Sequence, residues 1–194
     1  MQIIVQPEDA QGEKEKHVIL TVQPRVAAGS LAFTEIPAGM LDGGSLKGAA
    51  ANEIEEEAKL KVREDDLIDL SQLAVEDVPI TPWTNTNSTS TNASETVQNA
   101  MYPSVGACDE FIAIFLCQKR LTRRHMDWLK GKATGLREEG ENITLKLVPL
   151  SRAWREAGRD AKALAAIALY DNLKREGQLP EMPEDVEAEP EDLD

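Results

Sequence analysis

Glu53, Glu56 and Glu57 stand at i, i+3 and i+4 in a stretch whose alanines favour a helix. Three like charges on neighbouring helical positions repel by roughly a few tenths of a kcal/mol per pair. A hard divalent cation such as Mg²⁺ relieves that repulsion, because it takes oxygen ligands and leaves positions open for water and substrate phosphates. A glutamate-rich face also serves simple solvation, and the triplet alone leaves both readings open.

The residues that precede the triplet must position it. Pro37-Ala38-Gly39-Met40-Leu41-Asp42-Gly43-Gly44-Ser45 reads as a glycine-rich loop, with Ser45 as the N-cap of a helix that continues to Leu60. Leu46, Ala50 and Ile54 recur at four-residue steps and form a narrow apolar stripe.

Loop and helix together resemble the Nudix box of hydrolases that cleave nucleoside diphosphates linked to another group, in particular the ADP-ribose and ADP-sugar pyrophosphatases. Glu53, Glu56, Glu57 and Leu60 match that pattern. Asn52 replaces its arginine, and Lys59 its helix-ending glycine. Residues 40 to 51 are one fewer than the pattern has, and Gly44 or Ser45 occupies the place of its first glutamate. Asn52 offers hydrogen bonds but no charge, and a non-glycine residue in a left-handed cap costs ~1 kcal/mol.

A chain of 194 residues with 41% hydrophobic content suits one domain with a full core. The formal charge of -14 argues against nonspecific binding to nucleic acid or to an anionic membrane surface. Residues 181 to 194 hold eight acidic and no basic side chains, so 179–194 reads as a solvated, disordered tail beyond a domain at 1–178. Met1 to Gln6 is too short and uncharged for a secretory signal, and no apolar run approaches a membrane span. A cytoplasmic or otherwise intracellular protein is expected, with Cys108 and Cys117 as free thiols.

Along the chain, Met1 to Gln6 and His17 to Val22 have hairpin spacing, and Leu31 to Ile36 alternates as a half-buried strand. Leu67 to Val75 is apolar enough for a strand. Ten of the eleven residues from Thr84 to Ser94 are Ser, Thr or Asn, which marks 80–100 as a flexible insertion bordered by Trp83, an anchor or a base-stacking ring. Phe111 to Leu116 and Ile143 to Val148 read as strands, and Arg120 to Lys132 as a basic surface helix with one apolar stripe. Leu150 to Glu156 and Asp160 to Lys174 read as helices, the second packed on the sheet.

Several of these segments extend the resemblance in family order: Pro103-Ser104-Val105-Gly106-Ala107-Cys108-Asp109-Glu110, the Glu139 loop, and Asp160-Ala161-Lys162 before an apolar helix. The resemblance implies an α/β fold, a Nudix-type α/β/α sandwich with a mixed β-sheet. It implies that Glu53 and Glu57 ligate Mg²⁺ or Mn²⁺, with Glu56 shared or behind them, the Ala38 carbonyl completing the site and Glu141 adding a contact. Glu139 would orient or deprotonate the attacking water. Arg25 is a candidate phosphate contact or a plain surface arginine, and Glu110 a substrate-site residue or an edge charge.

The activity implied is metal-dependent hydrolysis of ADP-ribose or an ADP-sugar to AMP and a sugar phosphate. The competing expectation is a protein that keeps the fold, binds a nucleotide-sugar or a protein partner, and turns over poorly. Related enzymes carry extra N-terminal strands that support a dimer, so a homodimer belongs among the expectations.

Overall fold

The computed structural model describes residues 1–40, 45–76, 97–136 and 140–193. Its strands are β1 (Gln2–Pro7), β2 (His17–Arg25), β3 (Ser30–Glu35), β4 (Ile68–Asp69), β5 (Phe115–Leu121), β6 (Ala133–Thr134) and β7 (Ile143–Pro149). They form one sheet in the order β4-β5-β1-β2-β7-β6, with β3 also pairing β2. The sheet is mixed: β1 and β5 run parallel, with Ile3 opposite Cys117, and the other pairings are antiparallel.

β1 is buried along its whole length, and its Ile3-Ile4-Val5 run follows from the helices that cover both faces of the sheet. Alternate side chains serve opposite cores. Ile3 and Val5 pack with Ile54 and Ala58 of α1 (Leu46–Ala58) and Met126 and Leu129 of α3 (Arg123–Leu129). Ile4 packs with Leu70 of α2 (Leu70–Val75), Ala153 of α4 (Leu150–Glu156) and Ala163, Ala166 and Tyr170 of α5 (Ala161–Arg175). The result is an α/β/α sandwich, the fold class expected above. No helix among the described residues is long and apolar enough to cross a membrane.

Two expectations are corrected. Leu67 to Val75 is not a strand: only Ile68–Asp69 pairs, because the Asp69 carboxylate accepts the Gln72 N–H at 2.9 Å and starts α2. The strand read at Phe111 to Leu116 begins at Phe115 and runs to Leu121, because its parallel partner β1 extends that far. Ile112 forms only an isolated bridge with Met101.

The acidic C-terminal segment, expected to be a solvated extension, lies against β5 and α3. Met182 is buried, Glu187 donates its N–H to the Arg120 carbonyl at 2.8 Å, and Thr122 Oγ1 donates to Glu189 at 2.5 Å. Lys132 pairs with Asp192 at 3.0 Å, and Lys119 with Glu187 at 3.1 Å. Glu187, Glu189 and Asp192 thus meet Lys119 of β5, Arg124 of α3 and Lys132 beyond it, which offsets part of the self-repulsion among the segment's acids. Most of the proposed 80–100 insertion, with Trp83, lies outside the described residues.

Candidate active site

Ser45 Oγ accepts the Gly48 N–H at 2.9 Å and donates to Glu64 at 2.8 Å, so the N-cap of α1 is tied to the segment that follows the helix. At the other end Lys59 is left-handed, with φ 56°, where glycine is ordinarily preferred. Between these ends α1 buries Ala50, Ala51, Ile54, Glu57 and Ala58. One carboxylate thus sits on an otherwise apolar face, and Glu57 is only 4% exposed.

The loop leaving β3 closes over that carboxylate. The Ala38 N–H donates to Glu57 Oε2 at 3.2 Å. Gly39 lies so close to Glu53 that a Cβ there would fall 1.8 Å from Glu53 Oε1, so any side chain at this position would displace the Glu53 carboxylate. Glu53 and Glu57, one turn apart, therefore converge on residues 38–39. Burial pushes the Glu57 carboxyl up to about 7, and the charges of Glu53 and Glu141 add to the effect against the bond from Ala38. The Met1 amine donates to the Pro37 carbonyl beneath the loop.

A cavity of about 380 Å³ opens here, lined by Ala38, Gly39, Glu53, Glu110, Phe111 and Lys162 among others. Its volume lies in the range of small-molecule sites. Glu110 thus reaches the same cavity as Glu53. Lys162, part of the Asp-Ala-Lys feature that extends the resemblance, has no site role assigned by composition, which suggests only packing. Its Nζ donates to Asp160 Oδ1 at 2.9 Å and to Glu35 Oε2 at 3.3 Å. Arg25 donates to Glu35 Oε1 from Nε at 2.8 Å, so it is linked through Glu35 to Lys162 without itself lining the cavity. Asp160 also accepts the Ile36 N–H at 3.1 Å, which ties α5 to the end of β3. The signal for this network was an acid, Glu35, at a buried strand position beside an Asp-Ala-Lys helix start.

The remaining candidates are placed differently. Glu56 is exposed. Glu141 is exposed too, and its Oε2 accepts the Leu136 N–H at 2.9 Å. Glu139 lies outside the described residues. Ala38, expected to offer its carbonyl, lines the cavity and contributes its N–H to Glu57.

Among the described residues no three His, Cys, Asp or Glu side chains are arranged to hold a metal ion. The donor chemistry nevertheless suits a hard divalent ion: two carboxylates share one loop, and one of them is driven towards its neutral form by burial and by the other. A cation between Glu53 and Glu57 would restore the charge that burial opposes.

A mixed sheet between two helical layers, with Gly39 and a glutamate-bearing helix at its edge, is an architecture consistent with the Nudix type. No family model matches the chain. Over 169 residues the chain is 36% identical to "Nudix hydrolase 14, chloroplastic" of Arabidopsis thaliana; the match covers 86% of this chain and 48% of that protein. The chain spans about half the length of that relative, and the similarity supports a place for it in the Nudix family.

Proposed function

We propose that this chain hydrolyses the pyrophosphate bond of ADP-ribose or an ADP-sugar, giving AMP and a sugar phosphate, with Mg²⁺ or Mn²⁺ bound at Glu53 and Glu57. The observation that carries this reading is the buried Glu57, held against Ala38 one helical turn from Glu53, with Ala38 and Glu53 lining a cavity that also presents Lys162. Pyrophosphate cleavage is a task of neutralising clustered charge and aiming a water, which an acidic metal site beside a lysine performs. The metal, when bound, supplies positive charge beside the phosphate oxygens. Lys162 offers an ammonium to a phosphate oxygen, and Asp160 and Glu35 hold it in place. Glu110 borders the substrate, Glu139 takes the proton of the attacking water, and Glu56 and Glu141 support the metal from outside the pair. The substrate range stands on the family resemblance together with this charge arrangement.

AMP release from ADP-ribose and from ADP-glucose, measured with Mg²⁺, with Mn²⁺ and with chelator, tests the proposal. Metal-dependent release from either substrate is the expected result. The exposed Glu56 and the lack of a three-carboxylate cluster among the described residues favour a second reading, a binder with little turnover. Tight binding of ADP-ribose or ADP-glucose with no AMP release under any metal would establish that reading instead.

A further inference from the structure

A second cavity, of about 730 Å³, opens beside β3 and is lined by Phe33, Thr34, Trp154, Arg155, Arg159 and Leu164 among others. Its composition departs from the rest of a chain with formal charge -14. Trp154 is 48% exposed, and the Arg155 guanidinium lies 4.2 Å from its ring centroid. Arg159 stands on the same wall, and Leu164 adds exposed apolar surface. The acid of the lining, Glu156, is already matched by Lys146 at 2.7 Å and Arg152 at 3.6 Å. The cavity therefore offers an indole, a phenyl ring and two guanidiniums whose charge its own acid does not consume. Planar aromatic bases stack on such rings, and guanidiniums add attraction for phosphate.

The position of this cavity gives the pattern its meaning. β3 lines it at Phe33 and Thr34, then runs through Glu35, which holds Arg25 and Lys162, to the Ala38–Gly39 loop that meets Glu53 and Glu57. From Thr34 to Ala38 an extended backbone covers about 13 Å. Aromatic surface, cations and carboxylates thus follow one another beside β3 and the segment that leaves it towards α1, in the order of base, phosphates and metal-facing linkage in a nucleotide. We propose that the Trp154 cavity takes the base of the nucleotide whose pyrophosphate lies at Glu53 and Glu57. This rests on the hydrolase reading for the pyrophosphate end alone.

Calorimetric titration with AMP, and separately with ribose 5-phosphate, both in chelator, reads the base site without turnover. Trp154→Ala removes an exposed ring, and its melting temperature should match the wild type. The expected result is AMP binding weakened tenfold or more in Trp154→Ala and restored in Trp154→Phe, with ribose 5-phosphate unaffected. In the hydrolysis assay Trp154→Ala should raise KM for ADP-ribose by a similar factor and leave kcat within about twofold. Equal AMP affinity in wild type and Trp154→Ala, or no AMP binding by the wild type, overturns the proposal. A Trp154→Ala variant that alters only the sedimenting mass overturns it in favour of an interface between copies. If AMP binding depends on Trp154 but no substrate is cleaved, the base site stands and the hydrolase reading fails.

Discussion

Two charged regions of this molecule solve opposite problems. Around α3 and β5, acid and base meet in pairs: Arg63, with Lys119 behind it, holds the Asp66 carboxyl down to about 2, and Lys119 is pushed up despite burial because Glu187 and Asp66 face it. Around Ala38 and Gly39, Glu53 at the cavity edge stands one turn from the buried Glu57, and Glu57 is pushed up to about 7. Charge that is already matched holds the fold together, whereas charge of one sign gathered at a cavity stores a preference for a ligand of the other sign. The contrast locates the site more sharply than the number of carboxylates does, since the acidic C-terminal segment is the richer in them.

The largest expected effect is at Glu57. Glu57→Gln should lower AMP release at least ~100-fold, given the size of single-donor losses in preorganised sites, and should remove the rise in melting temperature that Mn²⁺ gives the wild type. It should also change the pH dependence of stability without metal. With a folded pKa raised from 4.5 to about 7, the folded state keeps a proton that the unfolded state has released. Stability therefore falls as pH rises from about 4.5 to 7 and levels off above, by about 3 kcal/mol at ~1.4 kcal/mol per unit. Urea unfolding of wild type and Glu57→Gln from pH 4 to 8 reads this directly; parallel curves would mean that Glu57 is not the group responsible.

The C-terminal segment is probed by Met182→Ala, which should cost about 2 kcal/mol because this side chain anchors the segment in the core that holds Ile4, Tyr170 and Leu173. Amide exchange at Glu187 should be slow in the wild type, and an unprotected amide there would show the segment solvated. Next in size is Asn52→Arg, which places a cation one turn before the exposed Glu56. Turnover should rise ~10-fold, the worth of one charge-assisted contact, and a rate unchanged by the substitution would set aside the role given to Glu56. The smallest effect is at Lys59. Its φ of 56° makes Lys59→Gly stabilising by about 1 kcal/mol in chemical denaturation, with activity unchanged.

What was legible in the sequence is what local chemistry sets. The Ser45 cap, the run of α1, the left-handed Lys59 and the helices at 150–156 and from 161 all follow from neighbours within a few residues, whereas the alternation expected of β3 is absent, with Leu31 exposed and Glu35 buried. The glutamate spacing belongs with these, because helical geometry alone puts Glu53 and Glu57 on one side. Tertiary structure decided the rest. It turned Glu57 inwards under Ala38 and left Glu56 exposed, because the core presses on one stripe of α1 and the residue before Glu57 lies off that stripe. It lengthened β5 to match β1, since a strand ends where its partner ends. It laid the acidic C-terminal segment on cations more than forty residues away in sequence, which composition alone cannot reveal because its charges lack partners within the segment. It also brought Lys162 of α5 to Glu35 of β3 at the rim of the cavity, 127 residues apart, so that only folding placed a cation beside the clustered carboxylates.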